Sequence, residues 1–216
     1  SRSRVQLLPH QLWVCHRVNR SYPFRWLVAD DVGLGKTIEA GLVLMPLVAR
    51  AQVRRLLILA PAKLVPQWQK RLRTMFDIRL QVYDRAVDTG QVDFWDTANM
   101  VVASIHTLRR EIAEDREGTS RFLAADPWDA VVVDEAHHLA WSPEAESPAY
   151  VLVDALARRT PGAILLTATP EQLGRSGHFA RLRLLDPARY HDLAAYQREA
   201  EDYGRLSALA ADLVED

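Results

Sequence analysis

Six short, largely apolar runs, interrupted only by Gln81 and closed in three cases by a polar residue, constrain this chain more than any other feature. They are WLVA (26–29), LLILA (56–60), LQVY (80–83), MVVAS (100–104), AVVVD (130–134) and AILLT (163–167). A strand with one wet face alternates apolar and polar residues, whereas a strand covered on both faces reads as a continuous apolar run. These runs therefore predict a parallel sheet. Stretches with apolar residues at helical spacing separate them, at 36–50, 66–75, 106–114 and 148–159. The βαβ rhythm predicts an open α/β sheet with helices on both faces, whose chemistry sits at the carboxyl ends of the strands. The sharpest polar clusters fall at those ends: 30–37, 61–63, 104–106, 134–138 and 167–170. Residues 84–99 and 113–127 read as polar, irregular connections, SPEAESP (142–148) as a loop, and the tail 191–214 as helical.

At 216 residues and 49% hydrophobic, the chain is long enough for one large domain with a substantial core. The net charge of −1 supplies no bulk field toward nucleic acid or membrane, so contact with nucleic acid must come from a local patch. Cys15, the only cysteine, excludes a disulfide framework or a cysteine-based zinc site within one chain. The longest apolar run, 41–49, is too short for a membrane span and contains Pro46, and the opening residues do not resemble a secretory leader. A soluble, cytoplasmic protein is expected, with no membrane partner.

Residues 30–37 read DDVGLGKT and lie between a predicted strand and a predicted helix. That is the setting of a phosphate-binding loop, although Asp30 stands where the pattern G-x-x-x-x-G-K-[ST] has its first glycine. Gly33 and Gly35 let backbone N–H groups turn toward an anion, and the helix N-terminus adds partial positive charge. Lys36 is placed to reach the β- and γ-phosphates and Thr37 to hold Mg²⁺. A glycine-rich turn that merely closes a βα unit is the structural alternative. VVVDEAHHL (131–139) weighs against it, because two acids directly after a buried strand need a cation. Asp134 suits Mg²⁺, and Glu135 suits the orientation of an attacking water. His137 and His138 lack the i, i+4 spacing of a helical zinc motif.

DEAH (134–137) resembles motif II of superfamily-two helicases and translocases, and DDVGLGKT is similar to the DExGLGKT of their Swi/Snf branch. Asp30 is then a branch feature rather than damage. LLPHQL (7–12), LILAPAKLVPQW (57–68), VVASIHTL (101–108) and LLTATP (165–170) resemble the segment before motif I and motifs Ia, Ib and III. DEAHHLAWS (134–142), TATPEQLG (167–174) and HFARLRLLDPARYHD (178–192) are similar to the RapA-like, RNA-polymerase-associated ATPases of bacteria. The resemblance covers roughly residues 5–200.

It implies a RecA-like lobe of the P-loop NTPase class, the first helicase lobe, over 1–190. Residues 191–216 would be a helical extension toward a second RecA-like lobe, which would supply the arginine finger. It implies ATP or ADP with Mg²⁺ as cofactors, and Lys36, Asp134 and Glu135 as catalytic residues. Gln11 would recognise adenine, and Asp31, Gly33, Leu34, Gly35, Thr37 and Ile38 would complete the nucleotide site. His137, Thr167 and Thr169 would couple the γ-phosphate to the nucleic-acid face. Lys63, Ser104, His106 and Thr107 would touch phosphates of double-stranded nucleic acid, with Arg109 and Arg110 adding charge. Implied partners are duplex nucleic acid and RNA polymerase, in a nucleoid-associated bacterial setting. Alone, such a lobe is expected to bind nucleotide but hydrolyse it poorly. Two other readings stay open: a superfamily-two enzyme of DNA repair or phage defence, and a non-catalytic nucleotide-binding module. Trp68 is expected in the core, Cys15 in apolar space near an N-terminal helix with His10 and His16, and Arg175, Arg181 and Arg183 on a solvated or domain-packing face.

Overall fold

The computed structural model describes residues 23–29, 35–85, 94–114, 122, 125–167 and 174–212, without the side chains of 204 and 206–212. Strands β1 (Arg25–Ala29), β2 (Leu56–Ala60), β3 (Gln81–Val82), β4 (Met100–Ser104), β5 (Ala130–Val133) and β6 (Gly162–Thr167) match the six apolar runs. All pair in parallel, in the order β1-β6-β5-β2-β4-β3. The helices are α1 (Gly35–Ala49), α2 (Val65–Phe76), α3 (Phe94–Thr97), α4 (Ile105–Glu114), α5 (Pro148–Arg159), α6 (Gly174–Leu185) and α7 (Leu193–Asp212). Short 3₁₀ turns at Ala62–Leu64 and Ala136–His138 follow β2 and β5. This is a RecA-like α/β fold.

The pleat of the strands divides the core in two. Leu56, Ile58, Val102, Val132, Ile164 and Leu166 point to the face covered by Val43, Leu44 and Leu47 of α1 and Trp68 and Leu72 of α2. Leu57, Leu59, Val101, Val131, Val133 and Leu165 point to the opposite face. There they meet Leu108 of α4, Val153 and Leu156 of α5, and Ala180 and Leu184 of α6. Register reinforces this division, since Leu57 sits opposite both Val101 and Val131. No helix among the described residues is long and apolar enough to cross a membrane.

Two segments depart from expectation. The connection 84–99 contains the short helix α3, and its Trp95 is fully buried with Tyr83, Phe122 and Trp128 in an aromatic cluster. The polar residues around those aromatics obscure their spacing, so composition alone reads as loop. Helix α6 is not expected at all. Two glycines and three arginines interrupt its apolar pattern, yet Phe179, Ala180, Leu184 and Leu185 are buried. The loop 142–148 is tied back by a bridge between Trp141 and Glu146, and Ser147 caps α5 by accepting from the N–H of Tyr150.

Helices α1 and α2 meet where Gly41 lies against the Phe76 ring, and a Cβ there would overlap that ring. Gly41→Ala is therefore expected to destabilise the chain by about 1–3 kcal/mol, despite the better helix propensity of alanine. Urea denaturation of the two proteins measures the difference.

Candidate functional site

Because all six strands run the same way, β2, β4, β5 and β6 deliver their carboxyl ends to one edge of the sheet. Helix α1 starts beside that edge, with Gly35, Lys36, Thr37 and Ile38 in its first turn. The N–H groups of such a turn have no intrahelical partners and favour an anion. Lys36 is 7% exposed, and its Nζ donates to the carbonyl of Thr167 at 3.2 Å, joining α1 to the end of β6. Gln11, Asp30, Asp31, Gly33, Leu34 and Thr169 lie outside the described residues, as do His10, Cys15 and His16.

Asp134 and Glu135 follow β5. The Asp134 backbone N–H donates to Leu59 O at 2.8 Å, which continues the β2–β5 ladder and fixes the acid at the sheet edge. Both oxygens of its carboxylate are held: Oδ2 accepts from Trp68 Nε1 at 2.7 Å and Oδ1 from the Glu135 backbone N–H at 2.9 Å. Burial pushes the Asp134 carboxyl above the usual carboxylate range. The Glu135 charge adds to this, while both hydrogen bonds and Lys36 oppose it. Glu135 adopts a left-handed backbone, φ 51° and ψ 43°, a conformation that is strained for any residue with a Cβ.

That strain is held in place by Arg181. The residue is 2% exposed, and its guanidinium donates to the carbonyls of Ala136 (2.9 Å), His137 (2.9 Å), Leu139 (2.7 Å) and Gly177 (2.9 Å). The turn after Glu135 is thereby clamped to α6. The expectation of a solvated or domain-packing face fails for this residue, because the carbonyls of the 136–139 turn point inward and need a donor. Arg183 contacts Glu146 at 3.1 Å and stacks over Trp141, and Arg175 reaches Glu201 at 3.4 Å. Trp68 is in the core as expected, but its bond to Asp134 is new. An indole that fills space and one that also holds an acid look the same in sequence.

His137 Nδ1 lies 3.1 Å from Glu135 Oε2, yet has no hydrogen bond. Burial first, then His138 and nearby cations, lowers its pKa against the pull of Glu135. The His137 and His138 rings lie 4.0 Å apart. Thr167 is fully buried, and its Oγ1 has no partner. Ser104 is buried too, and its hydroxyl accepts from the Thr107 N–H at 3.4 Å, which gives it a helix-capping role. Lys63 and His106 are exposed.

Two cavities meet at the acids. One, of about 200 Å³, is lined by Lys36, Thr37, Asp134, Glu135, Trp68 and Arg71. The other, of about 520 Å³, includes Lys36, Asp134 and Glu135 but extends to Lys63, His106, His137 and His138. A larger, more open cavity of about 940 Å³ beside Arg25 and Tyr190 shares no residue with either. Among the described residues, no Lys or Arg lies at ion-pair distance from Asp134 or Glu135, and no cluster of three His, Cys, Asp or Glu could hold a metal alone. A partly buried acid pair beside a threonine hydroxyl in the first turn of a helix fits a hard divalent cation whose remaining ligands are phosphate and water.

The SNF2-related domain family matches residues 13–211. Among solved structures, the chain resembles the Sulfolobus solfataricus SWI2/SNF2 ATPase core in complex with dsDNA, with a TM-score of 0.70 and 19% identity over 91% of this chain and 39% of that one. The same organism's SWI2/SNF2 ATPase core domain gives 0.67 and 19%, over 92% and 38%. The Pyrococcus furiosus Hef helicase domain gives 0.60 and 19%, over 83% and 36%. The chain thus spans less than two fifths of each. It belongs to the SNF2-related domain family.

Arg181→Met removes the guanidinium donor from the carbonyls of His137 and Leu139 and is expected to cost on the order of 2–3 kcal/mol in urea denaturation. Acid is expected to destabilise the chain as well. Burial, then the Arg181 charge, lowers the pKa of His178, and His137 shifts the same way. The folded state therefore favours neutral rings, and the unfolded chain takes up protons first as pH falls through about 6.5. The thermal midpoint should fall from about pH 7.5 to 5.5, and His178→Asn should flatten that fall.

Proposed function

We propose that this member of the SNF2-related family is the ATP-binding lobe, over 1–190, of a nucleic-acid-dependent ATPase. In this reading 191–216 leads to a second RecA-like lobe, and the whole enzyme moves along double-stranded nucleic acid to remodel a bound complex. One observation carries the reading: residues 36 and 37 share the wall of a 200 Å³ cavity with residues 134 and 135. Lys36, now resting on the Thr167 carbonyl, turns to donate to the phosphates. Thr37 and Asp134 hold Mg²⁺, which when bound offsets charge on the phosphate oxygens. Glu135 orients the attacking water, and its left-handed backbone fixes where the carboxylate starts from. Gln11, Asp31, Gly33, Leu34, Gly35 and Ile38 complete the nucleotide contacts.

Lys63, Ser104, His106 and Thr107 serve nucleic-acid phosphates, through contacts that give affinity without sequence choice. Lys63 and His106 line the same 520 Å³ cavity as the acids, which supports coupling through His137, with Thr167 and Thr169 acting from β6. The Sulfolobus solfataricus core, solved with dsDNA, favours a duplex track. RNA polymerase as the remodelled complex, in the bacterial cytoplasm, rests on the RapA-like run at 178–192.

Thermal shift and titration with Mg-ATP and Mg-ADP test the nucleotide reading. Binding is expected, and Lys36→Ala should weaken it by about 10-fold or more, since a charge-assisted hydrogen bond is lost. Absence of binding at millimolar nucleotide, or full binding by the variant, would contradict it.

A further inference from the structure

We infer that Trp68 is a positioning residue for the cation site, acting through its single hydrogen bond to Asp134; this rests on the nucleotide reading above. Trp68 lies in the first turn of α2 and is 1% exposed, packed among the residues between α1, α2 and the sheet. A ring so buried has one polar atom to satisfy. Its N–H meets a carboxylate 66 residues away, Asp134 Oδ2, at 2.7 Å. The Glu135 N–H holds the other oxygen, Oδ1, at 2.9 Å. One donor leaves a carboxylate free to rotate about its Cβ–Cγ bond. Two donors on separate oxygens fix its plane. Trp68 and Asp134 then line the 200 Å³ cavity together with Lys36 and Thr37.

A carboxylate fixed before the cation arrives loses less freedom when it binds, and outer partners of this kind commonly set metal affinity as strongly as the ligands themselves. Phenylalanine would fill most of the same apolar space. The indole N–H therefore accounts for what the ring does beyond packing. Lys36 and Thr37, in the first turn of α1, line the same cavity and attract phosphate whether or not the acid is held. Loss of the indole N–H should accordingly weaken metal binding while leaving metal-free nucleotide binding largely intact.

The test uses the full chain with ADP, and Mn²⁺ in place of Mg²⁺. Trp68→Phe is expected to weaken Mn²⁺ binding to the ADP-bound chain by about 10-fold, as measured by electron paramagnetic resonance. ADP affinity in EDTA should change by less than about twofold. Unchanged Mn²⁺ affinity, or equal losses with and without metal, would overturn the inference. A second measurement keeps the wild-type ring. With the six tryptophans labelled by ¹⁵N, one indole resonance should move upfield in Asp134→Asn and broaden on addition of Mn²⁺-ADP. If no resonance does both, Trp68 does not hold the metal-binding acid. A wild-type chain that binds no ADP at all sinks the nucleotide reading and this inference with it; ADP binding with an indifferent Trp68→Phe sinks the inference alone.

Discussion

Everything at the functional edge depends on how two acids are kept at the end of a buried strand. Asp134 and Glu135 stand where β5 leaves the core, and no Lys or Arg among the described residues pairs with them. Burial raises the pKa of Asp134, so its charged form is costly in the folded chain. Hydrogen-bond donors from separate parts of the fold hold the group and its turn: Trp68 from α2, the Glu135 backbone, and Arg181 from α6. Such an arrangement sacrifices local stability for a charge that is available to a ligand cation, a pattern expected of a working site.

The acids also form a shared wall. With Lys36 they line both the cavity that holds Thr37 and Trp68 and the cavity that reaches Lys63, His106 and the two histidines. Helix α2 contributes to the first cavity while the turn that precedes it carries Lys63 into the second. A shift of that helix would thus be felt at Asp134 through Trp68. The strained backbone of Glu135, clamped by Arg181, gives the same wall little freedom to relax by itself.

Much of this was legible in the chain. The six largely apolar runs mark the strands, and the polar clusters after them mark the edge that carries the candidate site, because a parallel sheet covered by helices leaves its polar groups to the strand ends. Lys36 and Thr37 stand out because they follow a glycine-rich stretch at the start of a helix, and Asp134 and Glu135 because two acids directly follow a buried strand. Helix α6 did not stand out: its glycines and arginines break the apolar period, and its inward face is completed by Arg181, a residue normally assigned to solvent. The buried Trp95, Phe122 and Trp128 were hidden by the polar residues that flank them.

The sequence by itself determined the fold class and the strands, which follow from local periodicity, and it marked side chains suited to phosphate and cation at their ends. Only the tertiary structure decided the strand order β1-β6-β5-β2-β4-β3 and the partners of the acids. Trp68 meets Asp134 across 66 positions, and Arg181 meets Ala136 across 45. Nothing local distinguishes an indole or a guanidinium that merely packs from one that holds a functional turn. That distinction is made by long-range geometry, where a buried donor must find whichever acceptor the folded sheet presents to it.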